Sequence, residues 1–323
     1  MTVTLTDLTA KEQSAFSGDK PILLATNNSD IITKATSGWF NGASGTTQES
    51  NEDVVSNARV RGYDRIAGLT VASKMTTALA GSDASVSLNF RLSFSATVTF
   101  DTVVIMGHNF GNVTSSGGSI TADIVASDNG GSVTLSDAIT ISSGDNSRLV
   151  FTFLYDTSGS KPSFPKRVQI PGSTRRVMLR LQNVAKTTGT KPALGEMWVG
   201  QRRQLLHNPN LPFDDKSETG MVSDFESKSG LTQRYVYHRG KALRRIDKSV
   251  ADSDELSAIE SAYDDSDDFT KPIIYIENQS NASPDAYLML AESPTLSLPL
   301  QGPFERVFST SLIEQPPFKS SGT

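Results

Sequence analysis

The sequence predicts a mainly β protein in two units: an antiparallel sandwich, then a smaller α+β unit with one helix. Three observations carry that prediction. Short runs alternate apolar and polar residues with period two. Clusters of Gly, Asn and Ser separate these runs, as turns between strands require. One stretch, Asp252–Tyr263, shows helical spacing behind an N-capping residue.

The clearest strand is Ser85–Phe94 (SVSLNFRLSF), where Val86, Leu88, Phe90, Leu92 and Phe94 share one face and polar residues take the other. Thr97–Met106 (TVTFDTVVIM) reads as a further strand ending at Gly107. Ser119–Ser127 places Ile120, Ala122, Ile124 and Ala126 together, and Asp128-Asn129-Gly130-Gly131 behind it signals a hairpin turn. Leu149–Tyr155, Arg175–Leu181 and Leu194–Gly200 supply more strands, with Val177, Leu179 and Leu181 on one face. Many short strands joined by turns argue for a sandwich over βαβ units.

Residues 1–20 are polar and read as an arm or a first edge strand. The apolar run Pro21–Asn27 follows and is read as the start of the sandwich. Trp39 and Phe40 sit in a Gly/Ser/Thr/Asn-rich stretch, Ser37–Ser56, read as a loop anchored by an aromatic. His207–Asp215 (HNPNLPFDD) is Pro- and Asn-rich and reads as a linker. Beyond it, Arg234–Val236, Ala242–Ile246, Pro272–Glu277, Ala286–Ala291 and the RVFSTSLIE stretch within Gln301–Glu314 read as strands. In the helix, Asp252 or Ser253 is the cap, Glu255 lies in the first turn, and Leu256, Ile259 and Tyr263 form the apolar face. The expected organisation is an arm (1–20), a sandwich (21–205), a linker (206–216), an α+β assembly unit (217–314) and a flexible tail (315–323).

Composition narrows the function. The chain has 323 residues, a net charge of -5 and no cysteine. The negative balance disfavours nucleic acid, whose binding rests on Lys and Arg neutralising phosphates. Without cysteine there is neither a disulfide nor a thiolate site. The N-terminus lacks the basic and apolar regions of a signal peptide, and no apolar run approaches the ~20 residues that span a bilayer. No membrane insertion is therefore expected.

The motifs of catalysis are missing. There is no G-x-S-x-G, no H-E-x-x-H, no P-loop and no G-x-G-x-x-G after a strand, so we expect no enzyme and no cofactor. The acidic run Asp264–Asp268 lacks the glycine of a calcium loop, so it reads as a solvated helix end, with no metal site. Glu196 reads as a strand-face carboxylate paired with an arginine. His108 and Asn109 read first as residues that close a strand and bond neighbouring backbone. Trp39, Phe40 and Phe110, with His108 and Asn109, are the candidate carbohydrate- or partner-binding loop residues, since an aromatic platform with polar neighbours suits a sugar ring. The plainer reading of Trp39 is a plug over the sandwich end. A basic stretch holding Arg234, Arg239, Arg244 and Arg245 precedes an acidic one holding Asp254, Glu255, Asp264 and Asp265. That order fits either a wet surface or a head-to-tail subunit interface that closes a ring.

Three ordered pieces carry a family resemblance. They are Phe100–Gly111 (FDTVVIMGHNFG), the strand from Ile120 into Ser127-Asp128-Asn129-Gly130, and Arg175–Gly200, where RRVMLRLQN leads to LGEMWVG. Together they resemble discoidin-like (galactose-binding-like) jelly-roll sandwiches, with Arg176, Leu179, Leu181, Leu194, Glu196, Val199 and Gly200 at the matching places. Gly107-His108-Asn109 is similar to the version found in bacteriophage tail and other virion proteins. The resemblance covers roughly residues 20–205. It implies a structural component of a phage tail, at the tail tip or baseplate, of the distal-tail ring type. Such a protein would be made and assembled in the host cytoplasm and would partner itself and other tail proteins. The alternative is a virion module that binds host-surface glycan.

Overall fold

In the computed structural model the apolar runs sort into sheets according to whether one face or both are buried. The structure describes residues 3–25, 37–41, 47–48, 51–52, 70–75, 85–114, 118–128, 131–145, 148–152, 164–170, 175–185, 192–208, 217–226, 232–279, 285–292, 296, 298–300 and 306–314. The architecture is mostly antiparallel β, a sandwich followed by a smaller α+β part.

The outer sheet of the sandwich holds Ser119–Asp128, Arg175–Ala185 and Ser85–Phe94 side by side, with Gly38–Asn41, Gly131–Thr134 and short strands beside them. Asp128 pairs with Gly131, so the hairpin turn signal is realised. The facing sheet runs in the order Leu149–Thr152, Thr102–Met106, Ala193–Gly200, Thr70–Met75 and Asn51–Glu52. Their inner faces build one core. Leu88, Phe90, Leu92 and Phe94 meet Ile120, Ala122, Ile124, Val177, Leu179 and Leu181 there, with Val103, Ile105, Met197 and Val199 from across the sandwich. The period-two sets read from the sequence are these inner faces.

Thr97–Met106 is two strands. Val98–Phe100 pairs with Lys166–Ile170, which pairs in turn with the edge strand Thr4–Asp7 in a small third sheet. Thr102–Met106 enters the facing sheet. The break is Asp101, fully buried, whose carboxylate accepts from the Arg202 backbone N–H (2.9 Å) and the Thr102 hydroxyl (2.9 Å). An alternation count does not register a buried carboxylate used as a corner.

The facing sheet is covered on its second side as well. Val104, Met106, Val150 and Trp198 pack against Ile22, Leu24, Ile274, Ile276, Ala286 and Leu288. These belong to a seven-stranded sheet in the order Arg203–Gln204, Ile22–Leu24, Ile273–Ile276, Ala286–Ala291, Arg306–Glu314, Thr232–Val250 and Ser217–Glu226. Its other face packs against the helix Ser253–Asp265, through Ile259 and Ala262, over Leu23, Ile273, Tyr275, Phe308 and Leu312. The layers are therefore sheet, sheet, sheet, helix. Strands buried on both faces read as unbroken apolar runs, and ILL, TVVIM and IIYI are such runs.

Further expectations change. Ile22–Leu24, read as the start of the sandwich, pairs with Ile273–Ile276 of the C-terminal sheet, and Arg203–Gln204 pairs with Ile22–Leu24. Arg234–Val236 and Ala242–Ile246, read as two strands, are parts of one, Thr232–Val250. The polar N-terminus also contains a helix, Ala10–Ser17, closed by a capping box between Thr9 and Glu12. The expected helix is present with Asp252 as its cap.

Candidate functional site

The aromatic loop residues do not form an open platform. Trp39, Phe40, His108, Asn109 and Phe110 are all buried. Trp39 lies edge-on to Phe90 (5.2 Å between centroids) and to Phe110 (6.5 Å), inside the sandwich core. This is the plug reading, and the sugar platform is corrected by it. Phe40 points the other way, with the Arg91 guanidinium 3.4 Å above its ring. Burial, reinforced by the like charge of Arg176, lowers the Arg91 pKa to about 10.

Gly107-His108-Asn109 is a lock between strands. Asn109 Oδ1 accepts from the Ala193 N–H (2.8 Å), and the Asn109 N–H donates to the Ala193 carbonyl (3.2 Å). His108 stacks on Phe110 at 4.4 Å, and its Nδ1 accepts from the Phe110 N–H at 3.3 Å. Gly107 has φ 67°, a left-handed backbone that favours glycine. At Gly111 a Cβ would lie 2.3 Å from the Asp145 carbonyl oxygen. The motif thus fastens the end of Thr102–Met106 to the start of Ala193–Gly200. Glu196, expected to pair with an arginine, accepts from the Trp198 indole N–H at 3.2 Å.

The acidic stretch is engaged within its own chain. Asp254 binds Lys11 (2.8 Å), as does the helix cap Asp252 (2.8 Å). Asp265 takes Arg203 Nε (2.8 Å) and Nη2 (2.5 Å). Glu255 is fully buried. It accepts from the backbone N–H of Leu206 (2.6 Å) and His207 (3.2 Å), and faces His207 Nδ1 at 3.0 Å. Glu255 is therefore an internal anchor and cannot meet a subunit partner. Asp264 is exposed at the helix end. Arg234, Arg239, Arg244 and Arg245 lie along the strand Thr232–Val250, and their side chains fall outside the described residues.

The described residues do enclose a polar cleft that sequence reasoning missed. It has a volume of about 270 Å³ and lies where the two helices meet the strands Lys166–Ile170 and Arg203–Gln204. Lys11 and Glu12 come from the first helix, Arg167 from its strand, and Arg203 and Gln204 from the strand leaving the sandwich. The second helix contributes Asp254, Ser257, Ala258 and Ser261, one stripe at helical spacing. Arg167 bonds Glu12 and lies 3.5 Å from Asp101. The hydrogen bonds that Lys11 donates to Asp252 and Asp254 raise its pKa, and the bond accepted from Lys11 holds Asp252 below the ordinary carboxylate range.

Beneath the cleft Arg202 is buried. Its Nε faces Asp101 (3.3 Å), Nη2 the Thr102 hydroxyl (3.3 Å) and Nη1 Gln279 Oε1 (2.9 Å). Gln279 Nε2 donates to Gln204 Oε1 (2.9 Å) and to the Lys20 carbonyl (2.5 Å). This network ties the sandwich to the C-terminal sheet and fixes the floor of the cleft. Among the described residues no group of three His, Asp or Glu is placed to hold a metal ion. The Thr9-x-x-Glu12 capping box and the Asp252 cap of the second helix were the legible signals for this region.

No family model and no curated relative matches the chain. Among solved structures it is similar to a pectin-binding carbohydrate-binding module, at 14% identity and TM-score 0.22, over 36% of this chain and 68% of that one. It is also similar to the tandem CBM22 domains of Paenibacillus barcinonensis Xyn10C, at 9% identity and TM-score 0.20, over 94% and 93%. TM-scores this low do not establish a shared fold.

Proposed function

We propose that this protein is a non-catalytic recognition module that takes a saccharide in the junction cleft. The observation that supports the reading is the make-up of the cleft wall. Donors (Lys11, Arg167, Arg203), acceptors (Glu12, Asp254) and hydroxyls (Ser257, Ser261) line it, and the charged groups are already held by internal ion pairs. A polyhydroxylated ligand needs such mixed, preorganised hydrogen bonding, and a frame of this rigidity limits the ordering cost of binding. The network around Arg202 supplies that rigidity.

A glycan array followed by titration calorimetry tests this. Ser257 is an exposed helix residue without an ion pair, so Ser257→Trp fills the cleft and leaves every charge pair in place. Binding in the parent and its loss in Ser257→Trp, with unchanged circular dichroism, is the expected result. An array without a hit, or equal binding by both proteins, overturns the reading.

The setting we propose is a virion, as a component of the tail tip or baseplate. It rests on the resemblance of Phe100–Gly111 and Arg175–Gly200, whose Asn109 and Ala193 interlock at 2.8 Å. Labelling of intact virions with antibody against this chain is the test. Absence from purified particles of the phage encoding it rules the setting out.

A further inference from the structure

The junction cleft has the features that attract anions. Lys11, Arg167, Arg202 and Arg203 line it, and the N-terminal ends of both helices reach it, through Thr9 and Asp254. A helix start presents backbone N–H groups and the positive end of the helix dipole, which suit a carboxylate or a phosphate. By residue type alone the cleft reads as a site for an acidic ligand.

Each of those features is already met by a carboxylate of this chain. Glu12 closes the start of the first helix, accepting from the Thr9 N–H (2.8 Å), and it also bonds Arg167. Asp252 closes the start of the second, accepting from the Asp254 N–H (2.9 Å). Asp101 faces Arg202 at 3.3 Å and Arg167 at 3.5 Å, and Asp265 holds Arg203 at 2.5 Å. Lys11 is bound by Asp252 and Asp254 together, each at 2.8 Å.

The charges of this cluster do not cancel. Arg167 and Arg202 are matched by Glu12 and Asp101, and Arg203 by Asp265. Lys11 alone serves both Asp252 and Asp254, so among these described residues one negative charge is in excess. It lies on the cleft wall. The Asp254 side chain is 64% exposed, against 26% or less for the other acids of the cluster.

An anionic ligand entering here has to displace one of these carboxylates or lie beside it. Displacement leaves the displaced acid without its cation, which is costly where the acid is buried. Lying beside it sets like charges together. An uncharged ligand meets neither cost.

We propose that the cleft selects uncharged saccharides and rejects acidic ones, with Asp254 as the specificity-determining residue. The inference rests on the saccharide reading of the cleft and names the class of sugar taken. The chain's own carboxylates fill the anion-binding features and so work against the wrong ligand, while the paired groups still offer donors and acceptors to hydroxyls.

Titration calorimetry of the full chain tests this. The probes are neutral oligosaccharides of galactose, glucose, mannose and N-acetylglucosamine, and their uronate counterparts, in which a terminal hydroxymethyl group is a carboxylate, ionised at about pH 7. At about 50 mM salt the expected result is binding of a neutral probe, with its uronate weaker by roughly tenfold or more. At about 0.5 M salt the gap should narrow, because an exposed charge is screened. Asp254→Asn keeps the shape of the side chain and removes the excess charge, so it should narrow the gap at low salt through tighter binding of the uronate. Absence of binding by both series overturns the saccharide reading and this inference with it. A uronate that binds as tightly as its neutral counterpart, or more tightly, overturns the selectivity alone and leaves the saccharide reading standing. A gap that persists unchanged in high salt and in folded Asp254→Asn overturns the role of Asp254.

Discussion

Glu255 shows how one residue changes meaning between sequence and structure. In the sequence it is one acid among several in an acidic stretch, and a first-turn position favours any carboxylate through the helix dipole. In the fold it is the acid that faces inward, where it receives the backbone at Leu206 and His207 and holds the chain leaving the sandwich. Which of Asp252, Asp254 and Glu255 turns inward depends on the approach of residues 206–207, and no local signal carries that. The same holds for Asn109, read as bonded to neighbouring backbone, whose partner Ala193 is far away in the chain. Glu255→Ala removes the acceptor and leaves its part-buried donors unmet. The expected loss is about 2 to 3 kcal/mol in urea unfolding, with a smaller loss for Glu255→Gln, which keeps one acceptor. An unchanged midpoint for Glu255→Ala would show the anchor to be idle.

At the level of elements, what is periodic was legible and what is corner-like was not. Leu88, Phe90, Leu92 and Phe94 were placed on the core face by alternation, and they are there. The expected wet face of the same strand is buried too, with Asn89, Arg91 and Ser93 under 10% exposed, because alternation reports polarity and not cover. The helix Ser253–Asp265 was legible from its cap and its apolar stripe. The helix Ala10–Ser17 was not, because its only buried residue is Ala15, so there is no stripe to read and the capping box stands alone. The two helices meet through Lys11 and the cap of the second helix. Asp252 has a lowered pKa, so its contribution to stability is present above the ordinary carboxylate value and is lost as pH falls through the lowered one. Lys11 has a raised pKa, so its contribution is present below its ordinary value of 10.5 and is lost as pH rises through the raised one. Lys11→Met should therefore move the Asp252 carboxyl titration, followed by NMR, upward towards ordinary values. High salt should move it the same way, since the pair is half exposed. A midpoint that stays put in both cases would separate the two helices energetically.

For the molecule as a whole, the question is whether a chain that reads as two units behaves as one. The sequence separates them at a Pro- and Asn-rich stretch, and composition there supports a linker. The fold crosses that division twice, through Ile22–Leu24 in the C-terminal sheet and through a middle core that has the sandwich on one side and that sheet on the other. The buried network of Arg202, Asp101 and Gln279 adds a polar tie across the same junction. Removing one member of a buried ion pair costs up to about 3 to 5 kcal/mol, less here because Asp101 keeps Arg167 at 3.5 Å. Arg202→Met should therefore destabilise both sides of the junction together. The two tryptophans make this visible, because Trp39 lies in the sandwich core and Trp198 in the middle core. In single-tryptophan proteins carrying Trp39→Phe or Trp198→Phe, urea unfolding followed by fluorescence should give coincident transitions, once each replacement's own effect on stability is matched by circular dichroism. Adding Arg202→Met should shift both reporters to lower urea by the same amount. Separate midpoints in the parent proteins, or a shift in one reporter only, would mean that the sandwich and the C-terminal sheet melt as independent units and that the shared core does not couple them.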